Sequence, residues 1–143
     1  MGKIHQEISI NLTGQVMFTQ LLIPSLMQAP KAFIINTTSG LSAFPKKDGL
    51  VYSASKAGLR NFTLGLRYSL QSTNIKVLEF IPPVTDTHMT QGRNESKMSV
   101  EDLVNHIIPQ LKKERKTLTI RKMRLFLWIV FLFPGLANKI LSK

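Results

Sequence analysis

The sequence contains no cysteine among its 143 residues, and acidic residues are few. Without cysteine, neither disulfide bridges nor thiolate metal sites can form. The 8 Asp and Glu residues stand against 19 Lys and Arg residues, which gives a formal net charge of +11. Because this excess of positive charge favours an anionic partner, a phosphorylated dinucleotide, a nucleic acid and an anionic membrane all remain candidates.

No apolar run in the sequence is long enough to cross a bilayer. The run at 125–133 has nine apolar residues and stops at Pro134, whereas a spanning helix needs about twenty. The N-terminal residues also lack the apolar core of a secretion signal. The sequence therefore predicts a cytoplasmic protein, with association at a membrane surface as the alternative.

The 8 glycines are scattered, and none of them forms a G-x-G-x-x-G turn. In dinucleotide-binding folds this turn lets the backbone approach the cofactor pyrophosphate at the N-terminus of a helix. The sequence itself therefore carries no such pyrophosphate cradle.

The sequence does contain an acid/base pattern. Tyr52 and Lys56 stand four residues apart, and Ser39 precedes Tyr52 by thirteen positions. On a helix, a four-residue step places both side chains on one face. An ammonium beside a phenol stabilises the phenolate, which suits a group that exchanges a proton near neutral pH. Ser39 adds a hydroxyl that can hold the oxygen of a substrate.

Hydrophobic spacing predicts alternating helices and strands. We expect a helix over residues 7–28, a strand at 32–37, a helix over 50–70 and a strand at 75–81. The continuous apolar character of 32–37 is typical of a parallel strand covered on both faces. A strand, a helix and a second strand imply a right-handed parallel crossover. Ser39 and the loop at 82–87 would then meet at the carboxyl edge of the sheet.

These features resemble the short-chain dehydrogenase/reductase family. In that family an apolar strand ends in a catalytic serine, and a Tyr-x-x-x-Lys pair follows on a long helix. The segment Ile8-Ser-Ile-Asn-Leu-Thr-Gly14 is similar to the helical segment that carries the family's fourth catalytic residue, an asparagine. The resemblance thus implies four catalytic residues, which are Asn11, Ser39, Tyr52 and Lys56.

The loop Pro82-Pro-Val-Thr-Asp-Thr87 resembles the family's cofactor-contacting loop, with Pro83 in place of the usual glycine. The resemblance implies contacts to an NADP or NAD cofactor from six residues, which are Tyr52, Lys56, Pro82, Val84, Thr85 and Thr87. It also implies hydride transfer between this cofactor and a small-molecule carbonyl or alcohol substrate. Tyr52 would give the proton and Ser39 would bond the substrate oxygen. Lys56 would stabilise the phenolate and bond the nicotinamide ribose, while Asn11 would anchor a water.

The resemblance spans about residues 5 to 90 and covers only the C-terminal, catalytic half of the family's domain. We therefore predict an α/β fold, in which a partial Rossmann-like parallel sheet forms the second half of a doubly wound domain and is followed by C-terminal helices. Residues 1–98 form the catalytic half, and residues 99–143 form a helical extension with basic and apolar segments. Since the cofactor-binding half is missing, we expect impaired oxidoreductase activity. We also expect either a homo-oligomer or a partner that supplies the missing half.

Two other function classes stay open. A catalytically silent interaction module is one, because an unpaired strand edge and uncovered apolar faces invite complementation. A peripheral membrane protein is the other, since a basic segment precedes the apolar run at 125–133 and Trp128 suits an interface. Nucleic acid is not expected, because the aromatic residues cluster in the apolar run instead of alternating with basic ones. The three histidines are too scattered to predict a metal site.

Overall fold

A computed structural model describes residues 2–92 and 94–136. Its elements are α1 (Gly2–Ile8), a π-helical turn (Ser9–Thr13), α2 (Gly14–Leu26), β1 (Ala32–Thr37), a 3-10 turn (Gly40–Ser42), α3 (Leu50–Ser69), β2 (Ile75–Ile81), a second 3-10 turn (His88–Thr90), α4 (Val100–Lys112), β3 (Thr117–Thr119) and α5 (Arg121–Leu132). Met1, Arg93 and residues 137–143, which belong to the predicted units 1–98 and 99–143, lie outside the described residues. The division into those two units stays a prediction.

The three strands form one parallel sheet in the order β1-β2-β3. β1 and β2 pair from Ala32 opposite Ile75 to Thr37 opposite Phe80. The short strand β3 pairs with the last residues of β2, with Thr119 opposite Ile81. The predicted fold class, a partial Rossmann-like parallel sheet with helices after it, is confirmed.

The main hydrophobic core lies between one face of the sheet and the helices α2 and α3. Its buried members are Ala32, Ile34, Leu66, Leu70, Ile75 and Val77. Ile23, Leu26 and Phe62 pack against this cluster from the two helices. Residues four apart on α3, such as Phe62 and Leu66, share a face, so the helix presents one apolar side to the strands.

β1 is covered on one face only, which corrects the expectation of a strand covered on both. Its residues alternate between buried and exposed along the strand. Ala32 and Ile34 face the helices, whereas Phe33 and Ile35 are 40% and 41% exposed. The reason is that successive side chains of a strand point to opposite faces, and the two core helices pack on the same face.

The C-terminal elements begin with a capped helix, α4. The Ser99 hydroxyl accepts a hydrogen bond from the Asp102 backbone N–H at 3.0 Å and so caps α4. β3 then joins the sheet, and α5 follows directly after Ile120. In the described part of the chain, no helix is both long enough and apolar enough to cross a membrane.

Candidate active site

Tyr52 and Lys56 lie one turn apart near the start of α3. The Lys56 ammonium nitrogen is 5.8 Å from the centroid of the Tyr52 ring. Their four-residue spacing on a regular helix produces this approach. A positive charge and a phenol therefore share one face of α3, as the sequence predicts.

Lys56 also ties α3 to the carboxyl end of β1. Its ammonium donates a hydrogen bond to the Thr37 backbone oxygen at 2.9 Å. The side chain is half buried, and this burial lowers the pKa of Lys56 from the ordinary lysine value. Since the ammonium is anchored at one atom, its position beside Tyr52 is fixed by the strand.

Ser39 lies two residues beyond the end of β1 and caps the 3-10 turn at Gly40–Ser42. Its hydroxyl oxygen accepts a hydrogen bond from the Leu41 backbone N–H at 3.2 Å. None of the hydrogen bonds within the described ranges uses the hydrogen of this hydroxyl. Ser39 is therefore oriented by its oxygen while its own O–H stays available as a donor.

Gly40 allows α5 to pack closely on this turn. A Cβ atom at position 40 would lie 2.8 Å from the Met123 sulfur, which is closer than a normal contact. Phe126 of α5 lies next to the same position, at 3.5 Å. The turn that carries Ser39 thus rests directly against the inner side of α5.

The loop at 82–87 leaves the sheet beside Ser39. Thr37 is opposite Phe80 in the register, and the Thr38 N–H donates to the Phe80 oxygen at 2.9 Å. Residues 39 and 82 each lie two positions past that paired level. The sheet therefore brings the Ser39 turn and the start of the 82–87 loop together at its carboxyl edge, as expected for parallel strands.

Hydrogen bonds hold the 82–87 loop in place. The segment at Met98 pairs with it, since Met98 N–H donates to the Val84 oxygen at 2.9 Å and Asp86 N–H donates to the Met98 oxygen at 2.8 Å. The Thr85 hydroxyl donates to the Pro83 oxygen at 3.0 Å. Pro82, Val84 and Thr85 are partly buried, whereas Thr87 is exposed.

Asn11 lies in the π-helical turn between α1 and α2. The turn widens the helix, since the Gly14 N–H donates to the Ser9 oxygen, and a Cβ at position 14 would lie 3.0 Å from that oxygen. The turn packs against α3, where a Cβ at Gly58 would lie 2.9 Å from Leu12. Asn11 is thus carried beside α3, but no hydrogen bond between the described residues links it to Tyr52.

Sequence reasoning missed a buried polar network beneath the site. The Thr38 hydroxyl donates to Glu79 Oε1 at 2.7 Å, and Arg60 Nε lies 3.6 Å from the same oxygen. Glu79 is only 7% exposed, and Thr38 only 1%. The signal was present in the sequence, because Glu79 is the one acid in the otherwise apolar end of the strand Ile75–Ile81.

We expect Glu79→Ala to lower the free energy of unfolding by about 1–3 kcal/mol, because it leaves the buried Thr38 hydroxyl without its acceptor. Glu79→Gln keeps an acceptor oxygen and should lose less. Urea unfolding of both variants measures the difference. Equal losses in the two variants would show that the hydrogen bond contributes nothing.

Within residues 2–92 and 94–136, no group of three His, Asp or Glu side chains is placed to hold a metal ion. The polar side-chain groups of Ser39, Tyr52 and Lys56 are two hydroxyls and one ammonium. Hydroxyl and ammonium groups suit a polar organic ligand better than a cation.

The sequence model of the short chain dehydrogenase family matches residues 1–98. The chain therefore belongs to the short-chain dehydrogenase family. The uncharacterised oxidoreductase DltE of Bacillus subtilis is 34% identical to it over 119 residues, which are 79% of this chain and 47% of that protein. Serine 3-dehydrogenase of Rhizobium radiobacter is 33% identical over 95 residues, which are 66% of this chain and 38% of that enzyme. The chain spans less than half the length of either of these relatives.

Solved structures show the same fold. A short chain dehydrogenase from Burkholderia cenocepacia, solved in complex with NADP, superimposes with a TM-score of 0.88 at 21% identity. The match covers 98% of this chain and 61% of that one. The closed form of a serine dehydrogenase complexed with NADP+ matches with a TM-score of 0.63 at 25% identity, over 77% of this chain and 52% of that one.

Proposed function

We propose that this chain provides the proton-transfer half of an NAD(P)-dependent reductase site that acts on a small-molecule carbonyl or alcohol. One observation supports this function over the alternative functions. The Lys56 ammonium lies 5.8 Å from the Tyr52 ring centroid and is bonded to the Thr37 oxygen at the carboxyl end of a parallel sheet. Open α/β sheets bind their ligands at that end.

Tyr52 is the proton donor in the direction of carbonyl reduction. Its O–H bond breaks as the proton passes to the carbonyl oxygen, which becomes the hydroxyl of the product alcohol. The phenolate that remains is stabilised by the neighbouring Lys56 charge. In alcohol oxidation the same proton returns to Tyr52, so one residue serves as acid and base.

Ser39 holds the reacting oxygen. Its hydroxyl oxygen already accepts the Leu41 N–H at 3.2 Å, so its hydrogen can donate to the carbonyl oxygen. This bond strengthens as negative charge develops on that oxygen. Asn11 lies on the π-helical turn beside α3. Its proposed role is to anchor the water molecule that returns the proton to Tyr52.

The chain's donors fit the nicotinamide end of a dinucleotide. Lys56 uses one N–H on Thr37 and keeps two more for the ribose hydroxyls. The loop at 82–87 is held rigid by Met98 and offers Thr85 and Thr87, with Pro82 and Val84 forming its partly buried base. When bound, the cofactor supplies the hydride. The relatives solved with NADP support its assignment as NADP or NAD.

We expect the 143-residue chain alone to bind NADPH and NADH more weakly than micromolar, because the sequence has no glycine-rich turn for the pyrophosphate. Fluorescence titration of either nucleotide with the chain measures the affinity. Micromolar binding of either one would contradict this expectation and would mean that the chain needs no glycine-rich turn to bind the cofactor.

A fusion protein tests the activity itself. It places this chain behind the first half of the Bacillus subtilis relative, so that the two halves form a complete sheet. We expect the fusion to bind NADPH or NADH and to consume it with members of a panel of aldehydes and ketones. A folded fusion that binds the nucleotide but reduces nothing in the panel would count against the reductase function.

The exposed face of β1 favours a second candidate, a module that pairs with another chain. Phe33 and Ile35 are 40% and 41% exposed on a strand at the end of the sheet order. Light scattering of the chain alone, and mixed with the separately produced first half of the relative, distinguishes a homo-oligomer from a complementing pair. A monomer in both samples would remove this candidate.

A further inference from the structure

The outer side of α5 is an apolar stripe. Leu125, Trp128 and Leu132 are 61%, 58% and 55% exposed, and Phe131 beside them is 78% exposed. Spacings of three and four residues place these side chains on one side of the helix. The opposite side carries Met123 and Val130, which pack inward. The stripe is thus a solvent-facing surface that the folded core does not use.

A cationic cleft lies between the end of α4 and the start of α5. It has a volume of ≈ 220 Å³ and is lined by Lys113, Arg115, Arg121 and Arg124. No carboxylate is among the residues that line it, and no salt bridge in the described part of the chain involves any of the four cations. The cleft therefore concentrates positive charge without local neutralisation.

Hydrogen bonds of Gln110 organise the polar floor of the cleft. Gln110 donates to the Thr119 oxygen at 2.8 Å and accepts from Arg124 at 3.3 Å. These bonds hold the end of α4 against the start of α5. The Arg124 guanidinium is thereby kept at the cleft, with further N–H groups free to bind an anion.

The stripe and the cleft are continuous. Arg121 and Arg124 line the cleft and also begin the outer side of the 12-residue helix α5, which is about 18 Å long. Along that helix, positive charge gives way to exposed apolar side chains. This order matches a membrane surface, where anionic headgroups lie beside the acyl boundary.

We propose that the cationic cleft and the apolar stripe of α5 together form a docking surface for an anionic phospholipid membrane. α5 would lie in the plane of the interface, with Trp128 at headgroup depth and the cleft around lipid phosphates. A second copy of the chain fits less well, because a symmetric contact places each patch against itself and would oppose two sets of four cations. A nucleic acid would leave the apolar stripe without a role.

Trp128 makes the docking directly visible, because it is the chain's single tryptophan. We expect its fluorescence emission to shift to the blue when the full chain meets vesicles of phosphatidylcholine with about one third phosphatidylserine. Vesicles of phosphatidylcholine alone should give a much smaller shift. Raising the salt concentration should weaken the binding, since exposed charges are screened.

Variants separate the two parts of the surface. Arg121→Gln with Arg124→Gln is expected to weaken vesicle binding about thirtyfold, whereas Lys47→Gln with Lys76→Gln removes the same charge from exposed sites elsewhere and should change it little. Leu125→Ser with Phe131→Ser should abolish the Trp128 shift. Phe18→Ser with Leu21→Ser, at residues 62% and 74% exposed on α2, is the matched apolar control.

Several results would overturn the membrane assignment. One is an unchanged Trp128 emission with anionic vesicles, in a sample whose circular dichroism shows folded helices. Another is a blue shift that rises with protein concentration in the absence of lipid, which would assign the stripe to a second copy. A third is equal binding by the α5 variant and its α2 control. Tight binding of short nucleic acids without any vesicle response would assign the cleft to them.

Discussion

We expect Tyr52→Phe to slow carbonyl reduction by the fusion protein by about 10²–10⁴-fold, because phenylalanine keeps the ring and removes only the proton donor. The initial rate of NADPH consumption at saturating carbonyl concentration measures the loss. NADPH affinity should change far less than the rate, since one hydroxyl contributes only part of the cofactor contacts. A loss confined to the rate would identify Tyr52 as the acid.

Tyr68 provides a matched control, because the chain has only two tyrosines. Tyr68 lies on the same helix and is 61% exposed, far along α3 from the carboxyl edge of the sheet. Tyr68→Phe should leave the rate unchanged. If both variants reduced carbonyls at the parent rate, the proton would have to come from another group.

Lys56→Met should lower the same rate by at least about 100-fold, because it removes the charge beside Tyr52 and the bond to the Thr37 oxygen. Lys56→Arg should not restore the rate, since a planar guanidinium cannot replace a compact ammonium at that position. Lys76→Met is the control, because Lys76 is an exposed lysine on β2. Full activity of Lys56→Arg would show that only charge matters.

Lys56 should also make the free energy of unfolding depend on pH. Burial lowers the pKa of Lys56 in the folded protein, so the folded state binds fewer protons than the unfolded state between the lowered value and the ordinary one. Stability therefore rises with pH across that window, and the burial penalty is greatest below it. We expect the free energy of unfolding of the parent protein, relative to that of Lys56→Met, to increase between about pH 8 and about pH 10. The increase should be less than about 1 kcal/mol, because solvent screens a half-buried group. Urea unfolding at both pH values checks the sign.

Local patterns were sufficient to predict that Lys56 lies beside Tyr52 on one helix. A four-residue spacing fixes which helical side chains share a face, so the approach of Lys56 to Tyr52 required only that α3 be a helix. The meeting of the Ser39 turn and the 82–87 loop followed from parallel pairing alone. The first feature follows from helix geometry alone, and the second follows from the parallel crossover that a strand, helix and strand order predicts.

Individual side-chain contacts between distant segments could not be predicted in the same way. The π-helical turn at Ser9–Thr13 packs against α3 at Gly58 and ends at Gly14, and neither glycine marks such a turn by itself. The acceptor for Thr38 lies 41 positions away at Glu79. The coverage of β1 was predicted from its apolar composition, but coverage depends on which elements pack on the sheet. The catalytic and cofactor-binding roles of all the site residues stay predictions, including those of Tyr52 and Lys56.

At Gly40, the turn that carries Ser39 packs directly against α5. Because Met123 and Phe126 fill the space where a side chain at position 40 would stand, a tilt of α5 would press on the turn that carries Ser39. If a ligand on the far side of α5 tilts the helix, thermodynamic reciprocity requires that this ligand and a ligand at the carboxyl edge of the sheet alter each other's affinity by the same factor. A bilayer would in that case act as an allosteric effector of the proposed site.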